Sequence, residues 1–151
     1  MTLEAALQRI AQDWVELIPG TRPHARYHAL DGSESLGSDP TAMGLDLVAD
    51  RGFLFDVGSR STIEEAGDDL ARCRYMVTAT LLLSVGEVGH RDASEVLAAD
   101  IRQLARAVDV RGTWPDGVLE VLTEDIEINE PEEDSGLASA TLELMLFVEE
   151  E

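Results

Sequence analysis

RYMVTATLLLSV, residues 74–85, is the longest strand pattern in the chain. It contains no Gly or Pro and is rich in β-branched and large apolar side chains, which favour strands. Because successive side chains of a strand point to opposite faces, every second residue shares a face. One face is the apolar set Tyr75, Val77, Ala79, Leu81, Leu83 and Val85. The pattern predicts a central strand with one apolar face, which the other elements cover or extend.

A capped amphipathic helix is predicted after this strand. Asp92 and Glu95 have the spacing of a capping box, in which the two side chains bond each other's backbone N–H groups. An apolar stripe at helical spacing then extends to about residue 108. Its members are Leu97, Ile101, Leu104 and Val108. The charged residues of the segment, Asp100, Arg102 and Arg106, are expected to face solvent.

The first helix and the last strand follow from the same two periodicities. A helical stripe over residues 2–18 predicts an amphipathic helix with Trp14 in the core. Strand alternation over residues 138–149 turns Ala140, Leu142, Leu144, Leu146 and Val148 inward. Met145 and Phe147 lie on the outer face of that strand. Exposed apolar side chains often mark an interaction surface, so both are candidate contacts with another subunit.

Between the first helix and the central strand, the pattern predicts three short strands. Residues 23–30, PHARYHAL, alternate from an opening Pro and are read as a strand. Residues 44–49 and 52–57 fit the two strands of a hairpin. The tripeptide Asp50-Arg51-Gly52 fits the turn that joins them, with Gly at the position that needs a special backbone angle.

Residues 31–43 open with DGSESLGSDPTA and show no periodicity. Gly, Ser, Asp and Pro dominate the segment, which predicts a flexible loop. A loop this long in a compact domain is either simply flexible or reaches a partner. Ser35 and Leu36, in its centre, are therefore candidate contacts with another subunit.

The remaining segments complete the fold class. Residues 62–71 are predicted to form a turn or a short helix, and 118–122 fit either a strand or one helical turn. Residues 125–128 alternate as a strand, and 129–136 form an acidic turn. The order of helix, strands, helix and two strands predicts an α+β fold, in which two helices pack on one face of a mostly antiparallel sheet. At 151 residues the chain is expected to be a single domain.

Charge is the strongest feature of the composition. The chain has 31 acidic and 11 basic residues, a net charge of −20. The net negative charge does not favour binding to nucleic acid or anionic lipid. Two interpretations remain open. One is a solvated surface suited to high salt, and the other is a negatively charged surface along which DNA moves without binding. No apolar run approaches the ~20 residues of a membrane span, and no secretory signal is expected at the N-terminus.

Catalytic, metal and cofactor signatures are missing from the sequence, so no enzyme activity and no cofactor are expected. His24 and His28 would share a strand face but stand ~13 Å apart, too far to chelate one ion. Cys73 is the only cysteine, which excludes an internal disulfide. Its neighbours Arg72 and Arg74 are of a kind that lowers a thiol pKa, but no His partner is evident, and a buried or indifferent thiol is expected.

The order of elements resembles the tail terminator, or tail completion, proteins of long-tailed bacteriophages and related gene-transfer particles. These small α+β proteins begin with an amphipathic helix, as at residues 3–18. They carry a long strand followed by a helix, as in RYMVTATLLLSV–GEVGHRDASEVLAADIRQL, and close with a hairpin whose last strand is similar to ASATLELMLFVEE. The family is defined more by its fold than by signature residues.

The resemblance implies a homo-oligomeric ring, expected to be a hexamer, at the tail–neck junction of a virion assembled in the host cytoplasm. The ring would cap the tail-tube protein, halt tube polymerisation and dock onto the head–tail connector protein. DNA would pass through its lumen without specific binding, and no membrane is involved. Residues 31–42, and Asp50 and Arg51 at the hairpin, become candidate contacts with tube or connector.

Two other interpretations stay open. One is another neck or minor tail protein of similar fold. The other is a small cytoplasmic α+β binding domain or dimeric enzyme that has no connection with phage. A deep pocket that gathers His24, His28 or Cys73 would favour the enzyme, and ring assembly would favour the structural protein.

Overall fold

The computed structural model describes residues 2–17, 27–29, 51–65, 70–84, 90–129 and 137–150. These residues form two helices and five strands. In chain order they are α1 (Thr2–Glu16), β1 (Tyr27–Ala29), β2 (Arg51–Glu65), β3 (Ala71–Ser84), α2 (His90–Asp109), β4 (Val118–Asn129) and β5 (Leu137–Glu150). Neither described helix is long and apolar enough to cross a membrane.

One sheet holds all five strands, in the order β1-β2-β3-β5-β4. The four long strands pair antiparallel, and the short β1 pairs parallel with the start of β2. Both helices pack on the same face of this sheet. The predicted α+β fold, with a mostly antiparallel sheet and two helices on one face, is confirmed.

β3 is the central strand, as its sequence predicts. It pairs with β2 on one side and, along its whole length, with β5 on the other. Its apolar face meets the apolar face of β5 in register, for example Tyr75 opposite Leu146 and Ala79 opposite Leu142. A strand with partners on both sides and apolar residues at period two has its register fixed, because a slip of one residue would turn the apolar set to the other face.

The core lies between this sheet face and the two helices. α2 buries the predicted stripe fully, and α1 buries Leu3, Ile10 and Trp14. The Trp14 ring meets the Phe53 ring edge-on, with 5.2 Å between centroids. Each large apolar side chain buried in this way contributes about 1.5–3 kcal/mol relative to an exposed one. α1 ends at Glu16, two residues before the predicted end.

The predicted turn at Asp50-Arg51-Gly52 is wrong for its last two residues. Arg51 and Gly52 are the first residues of β2, opposite Leu83 and Leu82 of β3. Pairing with β3 holds these residues in an extended conformation. The special backbone angle predicted for Gly52 is found among the described glycines at Gly117 instead, where φ is 88°.

β2 is also longer than its sequence suggests. Residues 58–65 continue the strand to Glu65, so the turn or short helix predicted from residue 62 is wrong for residues 62–65. Register shifts lie between Val57 and Ser59 and between Thr62 and Glu64. Each bulge resets which side chains face which way, so the segment lacks the alternation that identifies a strand.

The second helix and fourth strand settle two further predictions. α2 begins at His90, so Asp92 lies inside the helix rather than at its cap. β4 is a strand from Val118 onward, which resolves the helical alternative there. A turn precedes this strand, with the Val118 N–H donating to the Pro115 carbonyl at 3.1 Å.

Several predictions lie outside the described residues. They concern the loop at 31–43 with Ser35 and Leu36, the strand at 44–49, Asp50, the acidic segment 130–136, and all of the strand at 23–30 except residues 27–29.

Candidate functional site

The sheet face opposite the helices, which we call the open face, is the main candidate surface. Four apolar side chains lie together at its centre, on β3, β5 and β4. Met76 pairs with Met145, which pairs with Leu122, and Phe147 lies on the same face between Arg74 and Glu120. All four apolar side chains, Met76, Leu122, Met145 and Phe147, are half-buried within the single chain. Met145 and Phe147 thus lie on the predicted outer face, and their contact with another subunit stays a prediction.

An open groove of about 420 Å³ lies at one end of this face. Its lining residues are Ile63, Glu64, Arg72, Leu119, Glu120 and Phe147. Arg72 lies on β3 and links it to both neighbouring strands. Its Nη1 lies 3.3 Å from Glu64 Oε2 on β2, and its Nε lies 3.3 Å from Glu149 Oε1 on β5. Apolar side chains beside a fixed guanidinium make a surface that suits a protein partner.

Arg74 lies between this groove and the apolar centre. It faces Ser61 of β2 on one side and Phe147 of β5 on the other. Its Nε is buried and has no hydrogen-bond partner in the described part of the chain. A half-buried guanidinium with an unbonded N–H is costly to hold in a lone subunit, so a complementary group on a partner would stabilise it.

Arg51 has a different position from the one its sequence suggests. It faces the helix side, and only 1% of its side chain is exposed. Its Nη1 lies 2.8 Å from Oδ2 of Asp100, which is equally buried. Tyr27 donates its hydroxyl to the same oxygen at 2.9 Å, and the Arg51 guanidinium lies 5.7 Å from the Tyr27 ring centroid. A side chain with this burial offers no surface to a tube or connector protein, so the proposed contact at Arg51 is corrected.

Asp100, expected to face solvent, lies in the core instead. The buried cluster of Arg51, Asp100 and Tyr27 joins α2 to β2 and β1, so it ties one helix to the edge of the sheet. Burial raises the pKa of Tyr27 well above its usual value, and the negative charge of Asp100 together with its hydrogen bond adds to the rise. The cluster therefore holds a neutral tyrosine, an anion and a cation together away from water.

A second cluster of the same composition lies near the far end of β2. Arg60 Nε lies 2.6 Å from Glu150 Oε1, and the Tyr75 hydroxyl donates to the same oxygen at 2.7 Å. The Arg60 side chain is 45% exposed and the Glu150 side chain 14%. The hydrogen bond from Tyr75 is the main cause that lowers the pKa of Glu150, and burial of that carboxyl opposes it.

Cys73 lies beneath this second cluster. Its Sγ is 3.0 Å from Arg60 Nη2, and the thiol is buried, as expected. Arg72 and Arg74, its neighbours in the sequence, lie on the opposite sheet face because neighbouring side chains of a strand alternate. Burial instead raises the pKa of Cys73. This thiol is held in the protonated form, which is not the reactive one.

Within the described ranges, no three His, Cys, Asp or Glu side chains come together as a metal site. His24 of the predicted histidine pair lies outside those ranges. No protein-family model and no curated protein matches this sequence.

Proposed function

We propose that this protein is a structural assembly protein that forms a ring on the end of a phage tail tube. In that role it ends tube polymerisation and joins the tail to the head connector. The observation that carries the proposal is the open face. A folded chain that leaves Met76, Met145 and Phe147 together on a sheet face that neither described helix covers has a surface suited to self-assembly.

The charge supports the same proposal. A net charge of −20 on one small subunit multiplies around a ring, and a negatively charged lumen would repel the phosphates of passing DNA. The arrangement of a long central strand, a following amphipathic helix and a closing hairpin agrees with the fold that the resemblance implies.

The mass of the purified protein in solution tests this proposal. Light scattering at low and high salt is expected to give a hexamer, or a monomer that becomes one with salt or with tail-tube protein. Salt matters because like-charged subunits repel, and screening weakens that repulsion. A monomer or dimer at every salt, with no binding to tube protein, would overturn the proposal and favour the small binding domain or dimeric enzyme.

A further inference from the structure

We propose that neighbouring subunits join head to tail, with the acidic bulge of one copy seated on the open face of the next. The acidic bulge is the segment Glu124–Ile126 of β4, and the receiving patch consists of Arg74 with Met76, Met145 and Phe147. The occupant is a second copy of this chain. This contact rests on the proposed function, since it supposes that the chain assembles with itself.

The receiving patch has the composition of an interface centre. Arg, Met and Phe are enriched in the buried cores of protein interfaces, and Arg is frequent among residues whose truncation weakens binding most. Arg74 adds a specific requirement, because its buried Nε has no hydrogen-bond partner among the described residues. A carboxylate from outside the subunit would supply the missing partner.

The acidic bulge offers that carboxylate from an edge strand. β4 lies at the edge of the described sheet, and its register shifts between Thr123 and Ile126. Glu124 and Asp125 therefore stand out of the ladder, where both side chains are exposed. Ile126 beside them is 43% exposed. The segment presents two anions and one apolar side chain together, which complements a cation set among apolar side chains.

The two surfaces cannot satisfy each other within one chain. Arg74 on β3 lies opposite Phe147 of β5, whereas the acidic bulge lies beside Leu142–Leu144 of β5, roughly 10–16 Å further along the strands. Because β5 also separates β3 from β4 by about 9–10 Å, the bulge carboxylates do not reach Arg74 of the same chain. Two different, complementary surfaces on one subunit give a heterologous contact, which repeats from copy to copy. Such a contact closes into a ring when the rotation between copies allows it.

A charge exchange tests the contact. Arg74→Glu and Asp125→Arg each place like charges at the junction and are expected to weaken assembly about tenfold or more in dissociation constant. The double variant restores opposite charges in swapped positions and returns the net charge to −20, so it is expected to assemble as the wild type does. Arg102→Glu and Glu16→Arg, on exposed helix positions, make the same charge changes away from both surfaces and are expected to leave assembly unchanged.

Light scattering of the wild type and all five variants at matched salt gives the readout, and a urea midpoint for each shows that it is folded. If the wild type forms a ring and the single variants assemble equally well, the contact is wrong while the ring stands. The acidic bulge would then serve only to protect an edge strand from aggregation. Loss of assembly in Arg74→Glu but not in Asp125→Arg would also overturn the contact as stated. A wild type that stays monomeric at every salt, with or without tube protein, would overturn the proposed function itself.

Discussion

Strand β2 carries two arginines that make the same kind of cluster in opposite surroundings. Arg51, at its start, binds a carboxylate and lies against a tyrosine with 1% of its side chain exposed. Arg60, further along the strand, binds another carboxylate and another tyrosine hydroxyl with 45% exposed. Both arginines face the helix side of the sheet, but α2 covers only the first.

The comparison of these two arginine–carboxylate pairs shows how burial changes the contribution of an ion pair to stability. The two ion pairs are similar in length, 2.8 Å at Arg51 and 2.6 Å at Arg60. Arg60 Nε donates a hydrogen bond across its pair, whereas no N–H of the Arg51 guanidinium is aligned for a hydrogen bond among the described residues. Water screens exposed pairs, so they contribute little to stability. A buried pair contributes little as a pair too, because desolvation offsets attraction, but removal of one partner leaves a charge in the core without compensation. The buried cluster is therefore expected to be sensitive to single changes and tolerant of a matched double change.

The largest effect is expected from Asp100→Asn. The change is nearly isosteric but removes the one counter-charge that the described residues place beside the buried Arg51 guanidinium. Loss of one partner of a buried pair costs about 3–5 kcal/mol of unfolding free energy. Urea denaturation at pH 7 measures it, with Glu16→Gln on the exposed side of α1 as a control that should change stability by less than about 0.5 kcal/mol.

The double variant Arg51→Met, Asp100→Leu sharpens this prediction. It removes both charges and fills the space with apolar side chains, so it is expected to be more stable than Asp100→Asn and close to the wild type or above it. If the double variant is as unstable as Asp100→Asn, the cluster must stabilise the fold by more than the neutralisation of one buried charge by the other. The cost of Asp100→Asn could then not be assigned to an uncompensated charge.

An intermediate effect is expected from Tyr27→Phe. The change removes the hydrogen bond to Asp100, and a hydrogen bond to a charged group contributes about 1.5–3 kcal/mol. It should also change the alkaline behaviour. The pKa of Tyr27 is raised in the folded state, so its contribution is complete below the unfolded tyrosine pKa of about 10 and is lost as pH rises through the folded value.

Urea denaturation at pH 7 and at about pH 11, just above the unfolded tyrosine pKa, checks both parts of this prediction. Tyr27→Phe should lose less stability than the wild type between the two values. An equal loss in both proteins would mean that the Tyr27 hydroxyl does not hold its proton in the way the buried cluster requires.

The same contrast explains which parts of the fold the sequence reveals. β3, β5 and the stripes of both helices are predictable because one side of each element meets the core along its whole length. Periodicity alone carries that information. The second half of β2 is not predictable in this way, because its side chains are polar and exposed and its strand conformation comes from backbone pairing with β3.

The sequence does not predict the buried cluster of Arg51, Asp100 and Tyr27, and the reason is different. Asp100 lies three residues after Leu97 and four before Leu104, which is the spacing of the buried stripe, but its charge favours a solvent position. Its partner Tyr27 is 73 residues away along the chain. Local pattern cannot identify a partner at that distance, so the position on the stripe is the one available signal. Of the predicted contact residues, Met145 and Phe147 lie on the open face, and Arg51 lies in the core.

The smallest effect is expected from Glu150→Gln in the second cluster, whose arginine is exposed. The hydrogen bond from Tyr75, followed by that from Arg60, lowers the pKa of Glu150 in the folded state. A lowered pKa stabilises the fold above the unfolded glutamate pKa of about 4.3, and that contribution is lost as pH falls through the folded value. Glu150→Gln should therefore be slightly less stable than the wild type at pH 7, and it should lose less stability than Tyr27→Phe does. The difference in unfolding free energy between Glu150→Gln and the wild type should shrink toward about pH 3, below the unfolded glutamate pKa. A loss as large as that of Tyr27→Phe, or one that persists unchanged at low pH, would show that the solvent exposure of Arg60 does not separate the two clusters.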